Sequence, residues 1–366
     1  MTAPLKIVQI VKTLFYGDAI GNDVLAIDDA LRQAGYACEI QAVNVDDRLA
    51  GRGRGLDYGR IGPEDLVIFH KANGDPLSRS IAALPCKKLM FYHNITPGRF
   101  FRAYDLPRAW NLDRGRRQLK TLAGAMDYAC GDSAYNCREL EQAGFDPGRL
   151  SVVPILYNGG SREAADAGLL ARLRQTPGTK LLFIGRISPN KKQEDVIKVY
   201  WHFLREVDRQ ARLYLVGGWD GVEKYYAKLR GFAADLGLGE DQVIFAGHVT
   251  DGEKEAYLAA ADALVCMSEH EGFCVPLLEA MSRDIPIAAY AVAAVPETLG
   301  DNGLLFREKD YALIARRLGA VCRDETLRGQ VLAKQRESLK RFDYEKTREQ
   351  LLAVIARLTG GAGGAA

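Results

Sequence analysis

The segment Glu269-His-Glu-Gly-Phe-Cys-Val-Pro-Leu-Leu-Glu-Ala-Met281 places two carboxylates, Glu271 and Glu279, eight residues apart. The preceding residues, 262–268, have the apolar character of a buried strand, and a helix is predicted from Pro276 because proline is favoured in the first helical turn. Glu271 is therefore expected in a strand-to-helix loop, with Glu279 one turn into the helix.

The start of this helix carries no capping side chain. Cys274 and Val275 have no side-chain oxygen that could accept a hydrogen bond from the first helical N–H groups, so these groups are predicted to bind an anion. Two glutamates at this spacing are most often solvated surface residues. Next to an anion site, however, they suit a ligand with both phosphates and hydroxyls, such as a nucleotide-sugar.

Short β-branched runs alternate with helical patterns along the whole chain, which is typical of parallel sheets with crossover helices. The predicted strands are 6–11, 37–43, 65–70, 88–92, 127–131, 180–185, 212–217, 242–246, 263–267 and 286–289. The pattern predicts two open α/β domains whose ligand sites lie at the carboxyl ends of the strands.

We place the N-terminal domain at 1–160 and the C-terminal domain at 161–343. Prolines, glycines and a polar helix mark the boundary region. The final helix, 344–358, is assigned back to the first domain by analogy with proteins of this architecture. The tail, 359–366, consists mostly of glycine and alanine and is predicted to be disordered.

Composition limits the function further. The 366 residues carry a net charge of only +2, which excludes a nucleic-acid binder that relies on an overall basic field. No run of eighteen apolar residues and no signal peptide is present, so a cytoplasmic protein is expected. The seven cysteines form no C-x-x-C pair, and we interpret them as buried thiols in a reducing compartment.

One segment, 99–120, is locally basic, with seven cationic residues against two acidic ones and with aromatic residues between them. A solvated helical face is one explanation. The other is a surface that contacts an anionic membrane or a lipid-pyrophosphate acceptor, which would make the protein peripheral at the inner face of a membrane.

The opening segment resembles the E-x7-E region of the retaining glycosyltransferases of family 4. The matching residues are Ser268, Glu271, Gly272, Phe273, Pro276, Glu279, Ala280 and Met281. Cys274 stands where the family has a second glycine. If that position needs a positive φ, the cysteine strains the loop.

The resemblance continues at Gly185-Arg-Ile-Ser-Pro-Asn-Lys191, which follows a predicted strand and is similar to the family's G-R-x-x-x-x-K. It implies that Arg186 and Lys191 hold the donor diphosphate, with Lys192 a weaker candidate. The remaining implied donor contacts are Gly272, Phe273, Cys274 and Val275 to the diphosphate, Glu271 to the sugar, and Glu279, His248 and Val249 to the nucleoside.

In the first domain, His93 follows a predicted strand and matches the histidine that family 4 enzymes place near the transferred sugar. A lone histidine is more often structural. The resemblance makes His93 the catalytic candidate of this domain, together with Glu271 in the second. The acceptor side is assigned to Gly17, Asp18, His70 and Asn73.

Together these features imply a GT-B fold, with two Rossmann-like domains facing an interdomain cleft. The expected activity is retaining transfer of a hexose from a GDP- or UDP-sugar to a glycan or lipid-pyrophosphate acceptor. No D-x-D cluster that could bridge a metal and a diphosphate stands out, so metal-independent catalysis without a cofactor is expected.

Three other functions were weighed. A non-hydrolysing nucleotide-sugar 2-epimerase has the same fold, but the E-x7-E and G-R-x-x-x-x-K pair argues against it. A noncatalytic nucleotide-sugar binding protein would share the donor residues and lack transfer. A nicotinamide dehydrogenase is disfavoured because no glycine fingerprint follows Val11 or Ile184.

Overall fold

The computed structural model describes residues 5–160, 163–301 and 304–360. The chain divides into two compact units. The first unit comprises Met1–Gly98, Pro107–Asn158 and Phe342–Ala366, and the second comprises Arg99–Leu106 and Gly159–Arg341.

The first unit is built on a seven-stranded parallel sheet covered by helices on both faces. Its elements up to residue 152 are β1 (Lys6–Leu14), α1 (Ala19–Gln33), β2 (Ala37–Val45), β3 (Arg54–Gly55), β4 (Leu66–Lys71), α2 (Leu77–Ala82), β5 (Lys87–Tyr92), α3 (Leu106–Ala123), β6 (Tyr128–Gly131), α4 (Ala134–Gln142) and β7 (Leu150–Val152). The strand order is β3-β2-β1-β4-β5-β6-β7, so the order reverses between β1 and β4.

Alternate residues of the central strands feed two separate cores. Ile68 and Phe91 belong to a cluster that includes Ile27 of α1, whereas Phe69 and Met90 pack with residues of α2, α3 and α4. Successive side chains of a strand point to opposite faces, so a strand buried on both sides is apolar throughout. This explains the continuous apolar runs at 66–69 in β4 and 89–92 in β5.

The second unit contains a six-stranded parallel sheet. Its elements are α5 (Ala167–Gln175), β8 (Lys180–Ile184), α6 (Gln193–Glu206), β9 (Arg212–Val216), α7 (Glu223–Asp235), β10 (Val243–Gly247), α8 (Asp251–Ala260), β11 (Ala263–Cys266), α9 (Val275–Met281), β12 (Ile287–Tyr290), α10 (Val295–Leu299), β13 (Leu305–Phe306), α11 (Tyr311–Arg323) and α12 (Glu325–Leu339). The strand order is β10-β9-β8-β11-β12-β13, and it reverses between β8 and β11.

The last helix, α13 (Tyr344–Thr359), belongs to the first unit although it follows the second in sequence. Leu351, Ile355 and Leu358 are buried in the cluster that contains Ile27 and Phe91. The Nζ of Lys87 donates a hydrogen bond of 2.6 Å to the backbone oxygen of Leu358. Apolar packing and this bond hold the chain end on the first sheet.

The predicted fold class, two parallel α/β domains, is confirmed. All ten predicted strands are present, each within three residues of its predicted ends. Sequence reasoning missed β3, β7 and β13, which are only two or three residues long. In β3, Arg54 and Gly55 pair with β2 at the edge of the sheet.

The predicted domain ranges differ from this division mainly at Arg99–Leu106, which belongs to the second unit. The predicted disordered tail lies outside the described residues from position 361 onward. Within the described part of the chain, no helix is long and apolar enough to cross a membrane.

Candidate functional site

The second sheet brings three of the predicted site residues to neighbouring strand ends. Arg186 and Lys191 lie in the loop after β8, and Glu271 lies in the loop after β11. These strands flank the point where the strand order reverses. In open parallel sheets, ligands bind outside the carboxyl ends of the strands at such a point.

Lys191 and Glu271 form a direct ion pair. The Nζ of Lys191 lies 2.7 Å from Oε1 of Glu271, and the hydroxyl of Ser268 donates to the same oxygen at 2.7 Å. Asn190 joins the two loops by two hydrogen bonds. Its side-chain amide donates to the backbone oxygen of His270 at 3.0 Å, and its backbone oxygen accepts from a backbone N–H of the loop after β11. The pair is therefore held in place from both strands.

The ion pair fixes the charge state of the lysine. Burial alone would lower the pKa of Lys191, but the carboxylate of Glu271, with smaller contributions from two nearby thiols, outweighs burial and raises it well above its ordinary value. Lys191 therefore remains a cation at physiological pH. A fixed ammonium at the end of a central strand suits the binding of a phosphate.

Arg186 differs from Lys191 in being exposed. Its guanidinium donates a hydrogen bond to the backbone oxygen of Asp220, in the loop after β9. The neighbouring strand ends lie very close together, since a Cβ placed on Gly217 would fall 2.1 Å from the backbone oxygen of Gly185. Gly217, with a φ of +150°, allows the two loops to meet at this point.

The loop between β11 and α9 contains the residues assigned to the diphosphate. Cys274 adopts φ 76° and ψ 66°, so this position does require a left-handed backbone. Its side chain makes no capping hydrogen bond to the described residues. α9 has seven residues, and the contact of this loop with a diphosphate stays a prediction.

Glu279 lies on α9 and is buried, as is Glu271. Its Oε1 lies 3.0 Å from the Nζ of Lys254 on α8. Burial alone would lower the pKa of Lys254, but the Glu279 carboxylate outweighs it and raises the pKa above its ordinary value. The carboxylate predicted to bind a ribose therefore lies in an ion pair with a neighbouring cation.

The predicted nucleoside contacts, His248 and Val249, follow β10 directly. Beside them Trp219 stacks on Tyr226 with the ring centroids 4.2 Å apart and the planes 5° from parallel. A Cβ placed on Gly247 would lie 3.3 Å from the Trp219 ring. An aromatic surface thus adjoins the backbone that was predicted to contact the base.

A chain of polar side chains crosses the carboxyl ends of the first sheet. His93 Nδ1 lies 3.1 Å from Asp132 Oδ2, and His93 Nε2 lies 2.9 Å from His70 Nδ1. His70 Nε2 in turn lies 2.9 Å from Oε1 of Gln9, whose amide nitrogen donates to the backbone oxygen of Val24. Both ring nitrogens of both histidines are therefore engaged.

Within this series of hydrogen-bonded side chains, the positive charge is concentrated on His93. Burial alone would lower the pKa of His93, but the carboxylates of Asp132, Asp23 and Asp18 outweigh burial and raise it. Burial and the neighbouring His93 hold the pKa of His70 well below its ordinary value. Burial also raises the pKa of Asp23 to about 7.

The other predicted acceptor residues lie at the ends of β1 and β4. Gly17 has a φ of +76° just before α1, and Asp18 caps that helix by accepting from the backbone N–H of Gly21. Asn73 is half-buried where α3 crosses the loop after β4. A Cβ placed on Gly115 of α3 would lie 2.7 Å from the carbonyl carbon of Asn73.

Comparison with known proteins decides the family. Residues 172–346 match the model of the family described as "Glycosyl transferases group 1". The chain carries a group 1 glycosyltransferase domain. This domain spans almost the whole second unit, including Arg186, Lys191 and both glutamates.

Two relatives of this chain are informative. It is 28% identical to O-antigen chain mannosyltransferase B of Escherichia coli over 173 residues, which is 47% of this chain and 44% of that protein. It is 26% identical to a D-inositol 3-phosphate glycosyltransferase of Xylanimonas cellulosilytica over 265 residues, covering 70% and 62% of the two chains. The chain thus spans about half the length of the curated relatives that it matches.

The whole chain resembles solved glycosyltransferase structures in fold. The crystal structure of HepE from Anabaena in complex with UDP-glucose superposes with a TM-score of 0.74 at 17% identity, covering 96% of this chain and 100% of that one. The predicted resemblance to the family 4 glycosyltransferases is confirmed over residues 172–346, and the predicted GT-B fold is confirmed for the chain.

Some residues of the candidate site were not found by sequence reasoning. Asp132 and Gln9 carry the hydrogen bonds of His93 and His70, and Lys254 pairs with Glu279. Asp132 directly follows β6, so its position at the same edge of the sheet was a usable signal. Nothing in the sequence pattern marks Gln9, which lies in the interior of a buried strand, or Lys254 on an amphipathic helix.

The basic segment 99–120 is divided between the two units, with Arg99–Leu106 in the second and the residues from Pro107 onward in the first. Tyr104 packs edge-on against Tyr225 and its hydroxyl accepts from Lys228 at 2.9 Å, all within the second unit. Arg116 on α3 donates to Glu139 at 2.8 Å and so faces the protein interior. On α3, an exposed stripe is formed by Leu106, Trp110, Arg114 and Arg117.

The cysteines are all free thiols. Cys38 and Cys322 are only half-buried, which corrects the expectation that every thiol is buried. Among the described residues, Cys266, Glu271 and Cys274 place potential metal-ligand atoms within 4.8 Å of one another.

Lys192, the weaker diphosphate candidate, pairs with Glu194 at 3.0 Å.

Proposed function

We propose that the protein is a retaining hexosyltransferase. It moves a hexose of the mannose or glucose type from a GDP- or UDP-sugar to a glycan or lipid-linked acceptor in polysaccharide or glycoconjugate biosynthesis. The family match supports glycosyl transfer, and the relatives include a mannosyltransferase and an inositol phosphate glycosyltransferase. The neighbouring structure of HepE binds UDP-glucose, which supports a nucleotide-sugar donor.

The observation that carries the proposal is the ion pair of Lys191 with Glu271 beside Arg186, at the reversal point of the second sheet. Departure of a nucleoside diphosphate builds negative charge on the leaving phosphate. Cations fixed in advance stabilise that charge without reorganising during the reaction. The adjacent carboxylate is placed to accept hydrogen bonds from sugar hydroxyls.

The roles follow from this placement. Arg186 and Lys191 hold the diphosphate, Glu271 holds the sugar, and Glu279 holds the ribose. The backbone around His248 and Val249 contacts the base, with Trp219 as a nearby aromatic surface. The bonds of Lys191 and Glu279 to their partners orient these groups before the donor binds.

In the first unit, His93 is the proposed catalytic residue, and Gly17, Asp18, His70 and Asn73 are the proposed acceptor residues. His93 is a buried cation in the polar chain described above. Retention is proposed to proceed by departure and attack on one face of the sugar, with the leaving phosphate taking the acceptor proton. The protein contributes placement and charge stabilisation, without a metal ion.

A panel of nucleotide-sugars tests the proposal. Only a ligand that binds the folded state raises its stability by mass action, so one UDP-, GDP- or ADP-sugar is expected to raise the melting temperature well above the others. Nucleotide release with candidate acceptors then identifies transfer. Donor alone converted to an epimer would show a 2-epimerase, and donor binding without release with any acceptor would show a binding protein.

A further inference from the structure

Two thiols meet beneath the proposed donor loop. Cys266 is the last residue of β11 and Cys274 is the residue that precedes α9, and both are buried. Their sulfur atoms lie 3.9 Å apart. Between them in sequence lies the loop that carries Glu271.

The backbone at Cys274 makes a thiol there unusual. Its φ of 76° is a left-handed conformation, which costs a residue with a Cβ about 1–2 kcal/mol relative to a right-handed one. Glycine adopts this conformation without that cost. The thiol contributes no cap to α9 within the described chain, but it does contact a second thiol.

We propose that Cys266 and Cys274 form a reversible intrachain disulfide that switches off the donor loop. The disulfide itself is independent of the function proposed above, whereas its effect on transfer rests on that function. Disulfides in reducing compartments are usually transient and redox-sensing, so a pair of this kind fits a regulatory modification.

The oxidant is a small hydroperoxide, such as hydrogen peroxide, which can reach a buried sulfur. The Cys266 thiolate attacks one peroxide oxygen and, with uptake of a proton, gives a sulfenic acid and water. The Cys274 thiol then condenses with the sulfenic acid, forming the S–S bond and releasing a second water. Two electrons leave the two sulfurs and reduce one peroxide, and a dithiol reverses the reaction by exchange.

The surroundings of the thiols favour this order of events. A hydrogen bond from Cys274 lowers the pKa of Cys266 despite its burial. The same contact and burial raise the pKa of Cys274 well above its ordinary value. The thiolate, which is the nucleophile, therefore forms first at Cys266.

Closing the bridge changes the donor loop. A disulfide requires the sulfurs to approach from 3.9 Å to about 2.05 Å, which draws together the two ends of the loop. Glu271 is held between Ser268 and Lys191 by two bonds of 2.7 Å. The closing movement is expected to disturb these bonds, and the oxidised protein is expected to bind donor poorly.

The same sulfurs and Glu271 also fit the spacing of a metal site. The ammonium of Lys191 already neutralises the Glu271 carboxylate at 2.7 Å and would lie beside any added cation. We therefore favour the disulfide, and metal content is measured as a competing outcome.

Peptide mapping tests the modification directly. The wild-type protein is reduced, treated with hydrogen peroxide, alkylated and digested after glutamate, because cleavage at Glu269 or Glu271 separates the two cysteines into different peptides. We expect a linked pair that contains Cys266 and Cys274 and that dithiothreitol releases. Two unlinked peptides, or a stoichiometric metal ion that protects both thiols, would overturn the proposal.

Variants separate the switch from the enzyme. Cys266→Ala is expected to keep basal transfer and to lose sensitivity to peroxide, whereas Cys86→Ala, at a buried cysteine of the first unit, keeps the sensitivity. In Cys274→Gly, peroxide should stop at a sulfenic acid on Cys266 that dimedone traps. If the two cysteines are linked but donor binding and transfer are unchanged, the disulfide is not a switch. If the reduced protein shows no transfer, the proposed enzymatic function is wrong, but the peptide-mapping result remains valid.

Discussion

The hydrogen bonds of single residues define the charge of His93. Gln9 donates its amide to Val24 and therefore presents its oxygen to His70 Nε2, which must carry the hydrogen. His70 is neutral, so its Nδ1 accepts from His93 Nε2. His93 Nδ1 faces the Asp132 carboxylate and donates to it. A contact between His93 and a sugar hydroxyl thus requires one of its two bonds to break.

Asp132→Asn is expected to lower the pKa of His93 and to weaken stability at low pH. Because the folded pKa lies above the ordinary value of about 6.5, this stabilisation is fully present below that pH and is lost as pH rises through the folded pKa. Each tenfold change in the acid dissociation constant of His93 corresponds to about 1.4 kcal/mol in the free energy of unfolding. The difference in free energy of unfolding between wild type and variant should be largest near about pH 5.5 and shrink as pH rises.

Urea denaturation at several pH values measures this difference, and NMR titration of the His93 ring measures the pKa itself. Asp241→Asn, at an exposed carboxylate of the second unit, serves as the control and should show no such trend. A destabilisation by Asp132→Asn that is equal at all pH values would contradict the assignment of the charge to His93.

The two proposed diphosphate cations are expected to differ in their effect on stability. Arg186→Ala and Lys191→Ala should each lower turnover by roughly 100-fold, since each removes charge stabilisation of the leaving group. Lys191→Ala also leaves the buried Glu271 carboxylate without its cation, which typically costs about 3 kcal/mol. Arg186 is exposed, so Arg186→Ala should unfold like the wild type.

Thermal denaturation alongside turnover separates these effects. Lys191→Met combined with Glu271→Gln should recover part of the stability without recovering activity, because no charge is then left unpaired. Wild-type turnover in both single variants would remove the phosphate assignment.

At this scale, residue types at strand ends were predictable and their partners were not. Arg186, Lys191, Glu271 and His93 follow strands that the apolar pattern identifies, so their edge of the sheet follows from sequence. The pairing of Lys191 with Glu271 depends on the order of strands β8 and β11 in the sheet. That order is set by packing over long distances in sequence.

Among the elements, α13 shows how a chain end is fixed by a few apolar positions. Leu351 is completely buried in the first core, whereas Leu352 on the same helix is only partly buried. Leu351→Ala is expected to lower the free energy of unfolding by about 3 kcal/mol, and Leu352→Ala by clearly less. Chemical denaturation measures both, and equal losses would mean that α13 is not anchored through Leu351.

The proposed membrane contact can be tested at the exposed stripe of α3. Trp110 is 64% exposed and Leu106 44%, next to Arg114 and Arg117. An anionic bilayer attracts each exposed cation by about 1 kcal/mol near its surface. We therefore expect co-sedimentation with vesicles that contain acidic lipid, weakening as salt rises because screening acts over about 10 Å at 0.1 M.

Arg114→Gln with Arg117→Gln should abolish this binding and leave transfer to a short water-soluble acceptor unchanged. Arg116 is left intact because its bond to Glu139 is structural. Lys334→Gln with Lys340→Gln, at exposed positions of the second unit, is the control and should bind like the wild type. A wild-type protein that ignores acidic vesicles at low salt would exclude the membrane surface.

Element positions were the most predictable level of the structure. Strands buried on both faces are continuous apolar runs, and all ten that were predicted are present. The missed strands, such as β3 at Arg54 and Gly55, are too short for any period and exist only because a neighbouring edge offers hydrogen bonds. The assignment of Arg99–Leu106 to the second unit could not be predicted from sequence either, because it involves the contact between Tyr104 and Tyr225.

For the molecule as a whole, the fold is shown and residues 172–346 match a glycosyltransferase family, whereas the reaction is a proposal that rests on the donor site of the second unit. The donor sugar and base depend on backbone contacts and small differences in pocket shape, which residue patterns do not encode. The binding of a nucleoside diphosphate is accordingly the property that the account must first satisfy.

Calorimetric titration of UDP, GDP and ADP tests that property most directly. We expect one of these nucleotides to bind the wild type one to one, and Arg186→Ala to bind it roughly 10- to 100-fold more weakly, as for the loss of a charged hydrogen bond. Glu279→Ala should also weaken it, whereas Arg209→Ala, at an exposed arginine before β9, should not. Equal affinity in wild type and Arg186→Ala, or no binding of any of the three, would contradict the account.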